Sequence, residues 1–124
     1  MKTIRIAVTG GRNFSDKDLV WRVLDRNKTN VEAAGATMFL VVGDARGVDY
    51  FARKWAEDRG VEHKVFVAKW KDAEGNYNPA AGPIRNRDML ISGIDKLCAF
   101  PGGAGTADMT RICRNTKVYV VEYK

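Results

Sequence analysis

Apolar residues lie at every second position near the start of the chain. Ile4, Ile6 and Val8 show this period of two, which is typical of a strand with one face toward a core. The loop TGGR at 9–12 then ends the apolar run. The pattern therefore predicts a first strand that leads directly into a glycine-containing loop.

The spacing of the apolar residues changes to that of a helix after this loop. Ser15 with Asp18 three residues later resembles a capping box with Asp in place of Glu, and apolar residues follow at 19, 20, 23 and 24. We therefore expect a helix from about Asp16 into the twenties. Residues 27–35 are small and polar, and the pattern leaves their helical content open.

A second strand, a second helix and a third strand follow. The continuous apolar run at 38–42 is typical of a strand covered on both faces in a parallel sheet. Apolar residues at 48, 52, 55 and 56 mark the buried face of a helix that we expect to stop near Gly60. The next strand is predicted at 64–68. This alternation favours right-handed crossovers and a parallel sheet.

Residues 69–82 show no hydrophobic period and include Trp70, Tyr77 and Pro79. A loop of this length inside a compact domain is usually functional or mobile, and we interpret it as a flap over a ligand site. Either aromatic ring is then available to stack on a base. The alternative for Trp70 is that it simply covers the edge of the sheet.

The last part of the chain completes the predicted sheet. Pro83 suits the first residue of a third helix, and the apolar runs at 97–100 and 118–121 predict two further strands with a helix between them. The expected fold is an α/β three-layer sandwich, with a five-stranded parallel sheet and helices on both faces. At 124 residues with 45% hydrophobic content, the chain fits one domain spanning 1–124.

The stretch FPGGAGTAD at 100–108 carries the clearest chemical signal. Gly102, Gly103 and Gly105 have no Cβ, so backbone N–H groups can close on an anion, and the helix that follows adds the positive end of its dipole. The stretch predicts a phosphate site. The alternative is a tight connection between strand and helix without a ligand.

Three loops share a predicted location at one edge of the sheet. The loops at 10–12, 43–47 and 101–106 follow the first, second and fourth strands, and ligands of open parallel sheets bind at this carboxyl edge. Arginines near these loops have guanidinium forks suited to phosphate oxygens, with surface ion pairs as the alternative. The predicted ligand-binding residues are Gly10, Gly11, Arg12, Gly43, Asp44, Arg46, Arg85, Asn86, Arg87, Pro101, Gly102, Gly103, Gly105 and Thr106.

Charge and composition narrow the choice of partner. The formal net charge of +6 favours anionic partners, although the basic residues are interleaved with acids. His63, Cys98 and Cys113 show no metal-ligand spacing, so we predict no metal site, no cofactor, and reduced, buried thiols. The sequence has no P-loop, and TGGR does not match G-x-G-x-x-G. Because no apolar stretch is long enough to span a bilayer, we predict a cytoplasmic protein with no membrane partner.

Four motifs together resemble one family. They are VTGGR at 8–12, GDARGVD at 43–49, GPIRNRDM at 82–89 and PGGAGT at 101–106. In this order they are similar to the SLOG superfamily, in particular its small YspA-type, YpsA-related branch, over essentially the whole chain. The resemblance implies a Rossmann-like sheet, a nucleotide or nucleotide-derived ligand held by the glycine loops, and self-association into a homo-oligomer.

The resemblance also bears on catalysis. The lonely-guy phosphoribohydrolases of this superfamily split nucleoside 5′-monophosphates, with an arginine that corresponds to Arg85 and a glutamate at the position of Met109. A thioether cannot relay a proton or stabilise an oxocarbenium ion. Asp108 lies about 100° away around the helix. These two differences count against an N-glycosidase, which we keep as an alternative. In that alternative Arg85 positions the phosphate, and Asp108 or Asp44 assists departure of the base.

The main hypothesis is a module that binds a nucleotide-derived ligand, such as a signalling molecule of the ADP-ribose type. The amides of Gly102, Gly103, Gly105 and Thr106 hold the phosphate, Arg85 neutralises charge, residues 10–12 frame the ribose or a second phosphate, and Asp44 accepts from sugar hydroxyls.

A third hypothesis is that the chain binds single-stranded DNA, because the motif Arg85-Asn86-Arg87 also resembles DNA-processing protein A. Trp70 and Tyr77 are compatible with stacking on bases, but the chain lacks an extended basic stripe. We therefore rank nucleic acid below a small nucleotide ligand.

Overall fold

A computed structural model describes residues 2–124 of the chain, and these residues form a parallel sheet flanked by helices. The strands are β1 (Thr3–Thr9), β2 (Thr37–Gly43), β3 (Glu62–Phe66), β4 (Lys96–Ala99) and β5 (Tyr119–Glu122). The helices are α1 (Lys17–Ala33), α2 (Val48–Arg59), α3 (Ala81–Ser92) and α4 (Ala104–Arg114). None of these helices is long and apolar enough to cross a membrane.

The strand order changes direction at β1. The sheet runs β3-β2-β1-β4-β5, and all of its neighbouring strands are parallel. β2 and β3 therefore lie on one side of β1, and β4 and β5 lie on its other side. The loops after β1 and β4 leave the sheet side by side at this change of direction, which is where ligands of such sheets bind. The predicted α/β Rossmann-like three-layer fold is confirmed.

The two faces of the sheet carry separate apolar clusters. Ile6 and Val8 belong to the cluster beneath α1 and α2, whereas Ala7 belongs to the cluster beneath α3 and α4. Leu40 likewise belongs to the cluster beneath α1 and α2, and Val41 to the cluster beneath α3 and α4. Successive side chains of a strand point to opposite faces, so a continuous apolar run supplies both layers at once.

Three predicted boundaries, both ends of β3 and the start of α3, were wrong by two residues. β3 begins at Glu62 rather than 64, because Glu62 already pairs with Phe39 of β2, and it ends at Phe66. α3 begins at Ala81, which makes Pro83 its third residue instead of its first. Pro is tolerated there because the N–H groups of a first helical turn have no partner within the helix.

The N-cap and the length of α1 also differ from the prediction, whereas its start at Lys17 agrees with it. The N-cap residue is Asp16 rather than Ser15, and its Oδ1 accepts a hydrogen bond from Leu19 N at 3.0 Å. The helix continues through the small and polar residues to Ala33. One of these, Asn27, is buried: it donates to Val23 O at 2.8 Å and accepts from Lys96 Nζ at 2.6 Å. Contact with β4 thus stabilises a segment whose sequence pattern was ambiguous.

Both cysteines are free thiols in the interior, as predicted. Cys98 lies on β4 and Cys113 on the last turn of α4, each inaccessible to solvent. Burial raises the pKa of Cys113 to about 11 and also raises that of Cys98, which keeps both groups as neutral thiols.

Candidate functional site

The glycine loops are hydrogen-bonded to one another. Gly11 N donates to Pro101 O at 2.8 Å, which joins the loop after β1 to the loop after β4. Gly11 O accepts from Val48 N at 3.3 Å, which adds the first residue of α2. Three loops that follow separate strands therefore meet at Gly11.

This close meeting requires glycine at two positions. Gly47 has a φ of +72°, and a Cβ there would collide with Gly11 O. A Cβ on Gly102 would collide with Thr106 Oγ1 and would lie 2.7 Å from Gly11 N. The glycines permit backbone to approach backbone, which larger residues would prevent.

A cavity of about 620 Å³ opens beside the joined loops, and it is called the main cavity below because these loops line it. This volume lies within the range of small-molecule sites. The cavity combines apolar side chains with backbone amides and two guanidinium groups. Its lining residues are Thr9, Gly10, Gly11, Arg12, Asn13, Phe14, Ala45, Asp49, Trp70, Gly82, Arg85, Asn86, Pro101, Gly102, Gly103, Ala104, Gly105 and Thr106.

The N-terminus of α4 forms one wall of the cavity. The helix starts at Ala104 after the N-cap Gly103, with no side-chain cap. Its first N–H groups have no partner within the helix, and the helix dipole places partial positive charge at the same end. Among the four helices formed by residues 2–124, only α1 has a side-chain cap. The start of α4 is therefore suited to an anion.

Arg85 is held in place by a polar network. Its Nη1 donates to Asp44 Oδ1 at 2.8 Å, and its Nε donates to Asn86 Oδ1 at 3.2 Å. Asn86 is buried, and its amide donates to Gly105 O at 3.2 Å on α4. Asp44 Oδ1 also accepts from Ala68 N at 3.2 Å. The arginine side chain, only 12% exposed, is thus fixed between the loop after β2 and the start of α4.

Sequence reasoning left Asp49 out of the predicted site. This residue on the first turn of α2 is 6% exposed, lines the cavity, and accepts a hydrogen bond at Oδ2 from Ala45 N at 3.1 Å. Burial raises its pKa to about 6, against the lowering effects of Arg85 and of the Ala45 hydrogen bond. The sequence feature that could have indicated Asp49 is an acidic residue next to the buried positions of α2, directly after a glycine loop.

Trp70 lies in the cavity wall, whereas Tyr77 does not. The Arg12 guanidinium lies 5.4 Å from the centre of the Trp70 ring, and the Tyr77 ring stacks on it at 6.0 Å with an angle of 5° between the planes. Tyr77 itself is 70% exposed. The loop is closed by an antiparallel bridge between Lys71 and Tyr77. Of the two aromatic rings, only that of Trp70 borders the space that a base would occupy.

The structure brings most of the predicted ligand-binding residues together, with exceptions. Arg87 is exposed and borders none of the cavities described here, because two residues along α3 turn it about 200° away from Arg85. Gly43, Asp44 and Arg46 line smaller hollows beside the main cavity. The predicted residues that line the main cavity are Gly10, Gly11, Arg12, Arg85, Asn86, Pro101, Gly102, Gly103, Gly105 and Thr106.

The catalytic alternative named two carboxylates, Asp108 and Asp44, and one of them lies outside the main cavity. Asp108 does not line the main cavity: its Oδ2 accepts from Asn86 at 3.0 Å and its Oδ1 from Arg111 at 2.9 Å. Met109 is fully buried in the cluster beneath α3 and α4. Residues 2–124 contain no cluster of His, Cys, Asp or Glu side chains that could hold a metal ion.

The chain is similar to proteins of one described family. Residues 4–72, more than half of the chain, match the model of the family described as YAcAr: YspA, cpYpsA-related SLOG family. The match includes the glycine loops after β1 and β2 and stops before α3.

Two individual proteins extend the comparison. The Gene 61 protein of Mycobacterium phage D29 is 29% identical over 126 residues, which cover 96% of this chain and 95% of that protein. The X-ray structure of DNA processing protein A (DprA) from Streptococcus pneumoniae gives a TM-score of 0.52 at 17% identity. The match covers 96% of this chain but only 58% of the DprA chain, so this chain spans little more than half of that protein. At this identity the likeness concerns the fold.

Proposed function

Because this chain belongs to the YspA, cpYpsA-related SLOG family, we propose that it binds a nucleotide or a nucleotide-derived ligand in the main cavity. The observation that carries the proposal is the meeting of two glycine loops and the uncapped start of α4 around one cavity of about 620 Å³. A phosphate group is the anion that such a combination of amides and helix dipole binds best.

The phosphate lies on the amides of Gly103, Ala104 and Gly105 in this proposal, with the Thr106 hydroxyl as a further donor. Arg85 faces the same space and is already oriented by Asp44 and Asn86, so little side-chain entropy is lost when it contacts an anion. Arg12 has no ion pair within residues 2–124, and its charge is free for the ligand.

The rest of the ligand extends from the phosphate toward Trp70 and Asp49. A base stacks on the Trp70 ring in place of the Arg12 guanidinium, which turns toward the phosphate, and the Asp49 carboxyl accepts from a sugar hydroxyl. A nucleotide supplies all three chemical features: an anion, hydroxyl groups and a flat ring. An ADP-ribose-type molecule has the same features in a longer form.

Isothermal titration calorimetry with AMP, ADP, ADP-ribose and unphosphorylated adenosine tests the proposal. We expect at least one phosphorylated compound to bind at least ten times more tightly than adenosine. Arg12→Gln is expected to lower that affinity about tenfold, the loss of a charge-assisted hydrogen bond, without changing the melting temperature.

Arg87→Gln is the matched control, since Arg87 carries the same charge but lies outside the described cavities. It is expected to leave the affinity unchanged. Absence of binding to every nucleotide overturns the proposal, as does equal binding of AMP and adenosine.

The same samples separate binding from two other activities. Chromatography of the AMP mixture detects free adenine, which an N-glycosidase would release. A titration with a short thymidine oligonucleotide tests the single-stranded DNA hypothesis, for which the affinity falls steeply with salt concentration. We rank both below ligand binding, because Asp108 lies outside the main cavity and the basic residues of the chain are interleaved with acids.

A further inference from the structure

Arg53 on α2 has a buried donor that nothing satisfies. Its Nε lies out of contact with solvent and makes no hydrogen bond to any residue that the structure describes. The guanidinium group lies 5.5 Å from the centre of the Tyr50 ring. A buried N–H group without a partner costs stability, so the protein gains from any rearrangement of the Arg53 side chain that brings an acceptor to this group.

Arg53 lines a hollow of about 320 Å³ that it shares with Arg46. Neither arginine forms an ion pair within residues 2–124. Two aspartates also border this hollow, but Asp44 is already paired with Arg85 at 2.8 Å and Asp49 accepts from Ala45 N. Arg46 and Arg53 therefore place two positive charges beside the one carboxylate of the hollow that has no ion pair among the described residues, Asp49, and the excess positive charge favours an anion.

The hollow adjoins the main cavity. Ala45 and Asp49 line both spaces, and Arg53 follows Asp49 by one helical turn, so their side chains lie on the same face of α2. A third hollow of about 300 Å³, lined by Arg12, Arg46 and Arg85 among others, borders each of the two. The hollow that Arg53 lines is therefore a direct neighbour of the space beside α4.

We propose that Arg46 and Arg53 form a second anion subsite, so that the ligand of the main cavity carries a second anionic group. The inference rests on the proposed function and goes beyond it in two respects: it adds Arg53, which no motif indicated, and it favours a doubly phosphorylated nucleotide over a monophosphate. The first phosphate lies on the start of α4, and the second accepts hydrogen bonds from Arg53 and Arg46.

The test compares AMP with three nucleotides that carry a second phosphate: ADP, adenosine 2′,5′-bisphosphate and adenosine 3′,5′-bisphosphate. In the unmodified protein, at least one of the three is expected to bind at least ten times more tightly than AMP. In Arg53→Gln, the affinity of that nucleotide divided by the affinity of AMP is expected to fall to below three. Arg53→Lys, which keeps the charge but removes the planar fork, is expected to give an intermediate ratio.

Arg22→Gln is the control, because Arg22 is exposed on α1 and borders none of the described cavities; its ratio is expected to match that of the unmodified protein. If Arg53→Gln fails to fold, Arg46→Gln at an exposed position tests the same subsite. If the tenfold preference over AMP persists in both variants, or if all four nucleotides bind with equal affinity, the second subsite is overturned but the proposed function is not. If none of the four binds, the proposed function falls and this inference falls with it.

Discussion

Asp49 illustrates how one residue joins stability to the site. Its carboxyl is buried between the loop after β2 and the start of α2, and burial raises its pKa from 3.8 to about 6. The folded protein therefore holds a proton that the unfolded chain releases between about pH 4 and pH 6. As the pH rises through that window, the folded state loses stability relative to the unfolded state.

We predict that Asp49→Asn stabilises the protein at alkaline pH. Asn keeps an acceptor for Ala45 N and never carries the charge whose burial is unfavourable, so the gain at pH 8 is up to about 3 kcal/mol. The gain should shrink toward zero below pH 4, where Asp49 itself is neutral. Melting temperatures between pH 4 and pH 8 measure the effect.

The matched control is Asp88→Asn, because Asp88 is exposed on α3. The control should show no gain that grows between pH 4 and pH 6. A gain for Asp49→Asn that is the same at every pH would contradict the assigned role of the buried charge.

The sequence pattern marked Asp49 only as an acidic residue after a glycine loop, and it gave no signal for Arg53. The burial of Asp49 depends on the space beneath Gly43, where a Cβ would lie 2.6 Å from both Asp49 Oδ2 and Arg85 Nη1. Arg85 comes from a helix 36 residues later in the chain. A solvated surface is the default expectation for Asp and Arg, and only tertiary packing reverses it here.

At the scale of elements, the joint between the loop after β4 and α4 is the most constrained part of the site. We predict that Gly102→Ala destabilises the protein by about 1–3 kcal/mol, because the new methyl group collides with Thr106 and with the backbone of Gly11. Urea denaturation measures the change. Nucleotide affinity should fall with it, since the amides of the loop are displaced.

Gly105→Ala provides the same chemical change in open space. Nothing lies within 4 Å of a Cβ at this position, and alanine favours a helix over glycine by roughly 0.5–1 kcal/mol. The control is therefore expected to be neutral or stabilising. Equal destabilisation by the two substitutions would contradict the close contact described at Gly102.

Elements whose sequence pattern coincides with their burial were predicted well. β2 and β4 are covered on both faces, and their continuous apolar runs placed them to within one residue. β3 is an edge strand without a fully buried residue, so Glu62 and His63 gave no apolar signal at its start. The glycine loops indicated the right edge of the sheet because their location follows from strand direction alone.

At the scale of the whole molecule, the cavity is built from both sides of the sheet. The β1 loop and the start of α2 supply one wall, and α3 with the start of α4 supplies the other. A ligand held between these walls stabilises the folded state by an amount that grows with the logarithm of its free concentration over Kd.

We predict that the tightest nucleotide of the panel raises the midpoint of one thermal transition. At a free concentration of 100 times Kd the stabilisation is about 2.7 kcal/mol, which corresponds to about 10 °C for a chain of this length. Differential scanning calorimetry measures the shift, with adenosine as the control. Two transitions, of which only one responds to the nucleotide, would contradict joint closure of the cavity by both walls.

Trp70 gives the protein a built-in optical reporter. The chain has three tryptophans. Trp21 and Trp55 pack in the apolar cluster beneath α1 and α2, and only Trp70 borders the main cavity. A ring stacked on the Trp70 indole would quench its emission and leave the other two unchanged. Occupancy of the cavity can therefore be followed by intrinsic fluorescence, without a label and at micromolar protein.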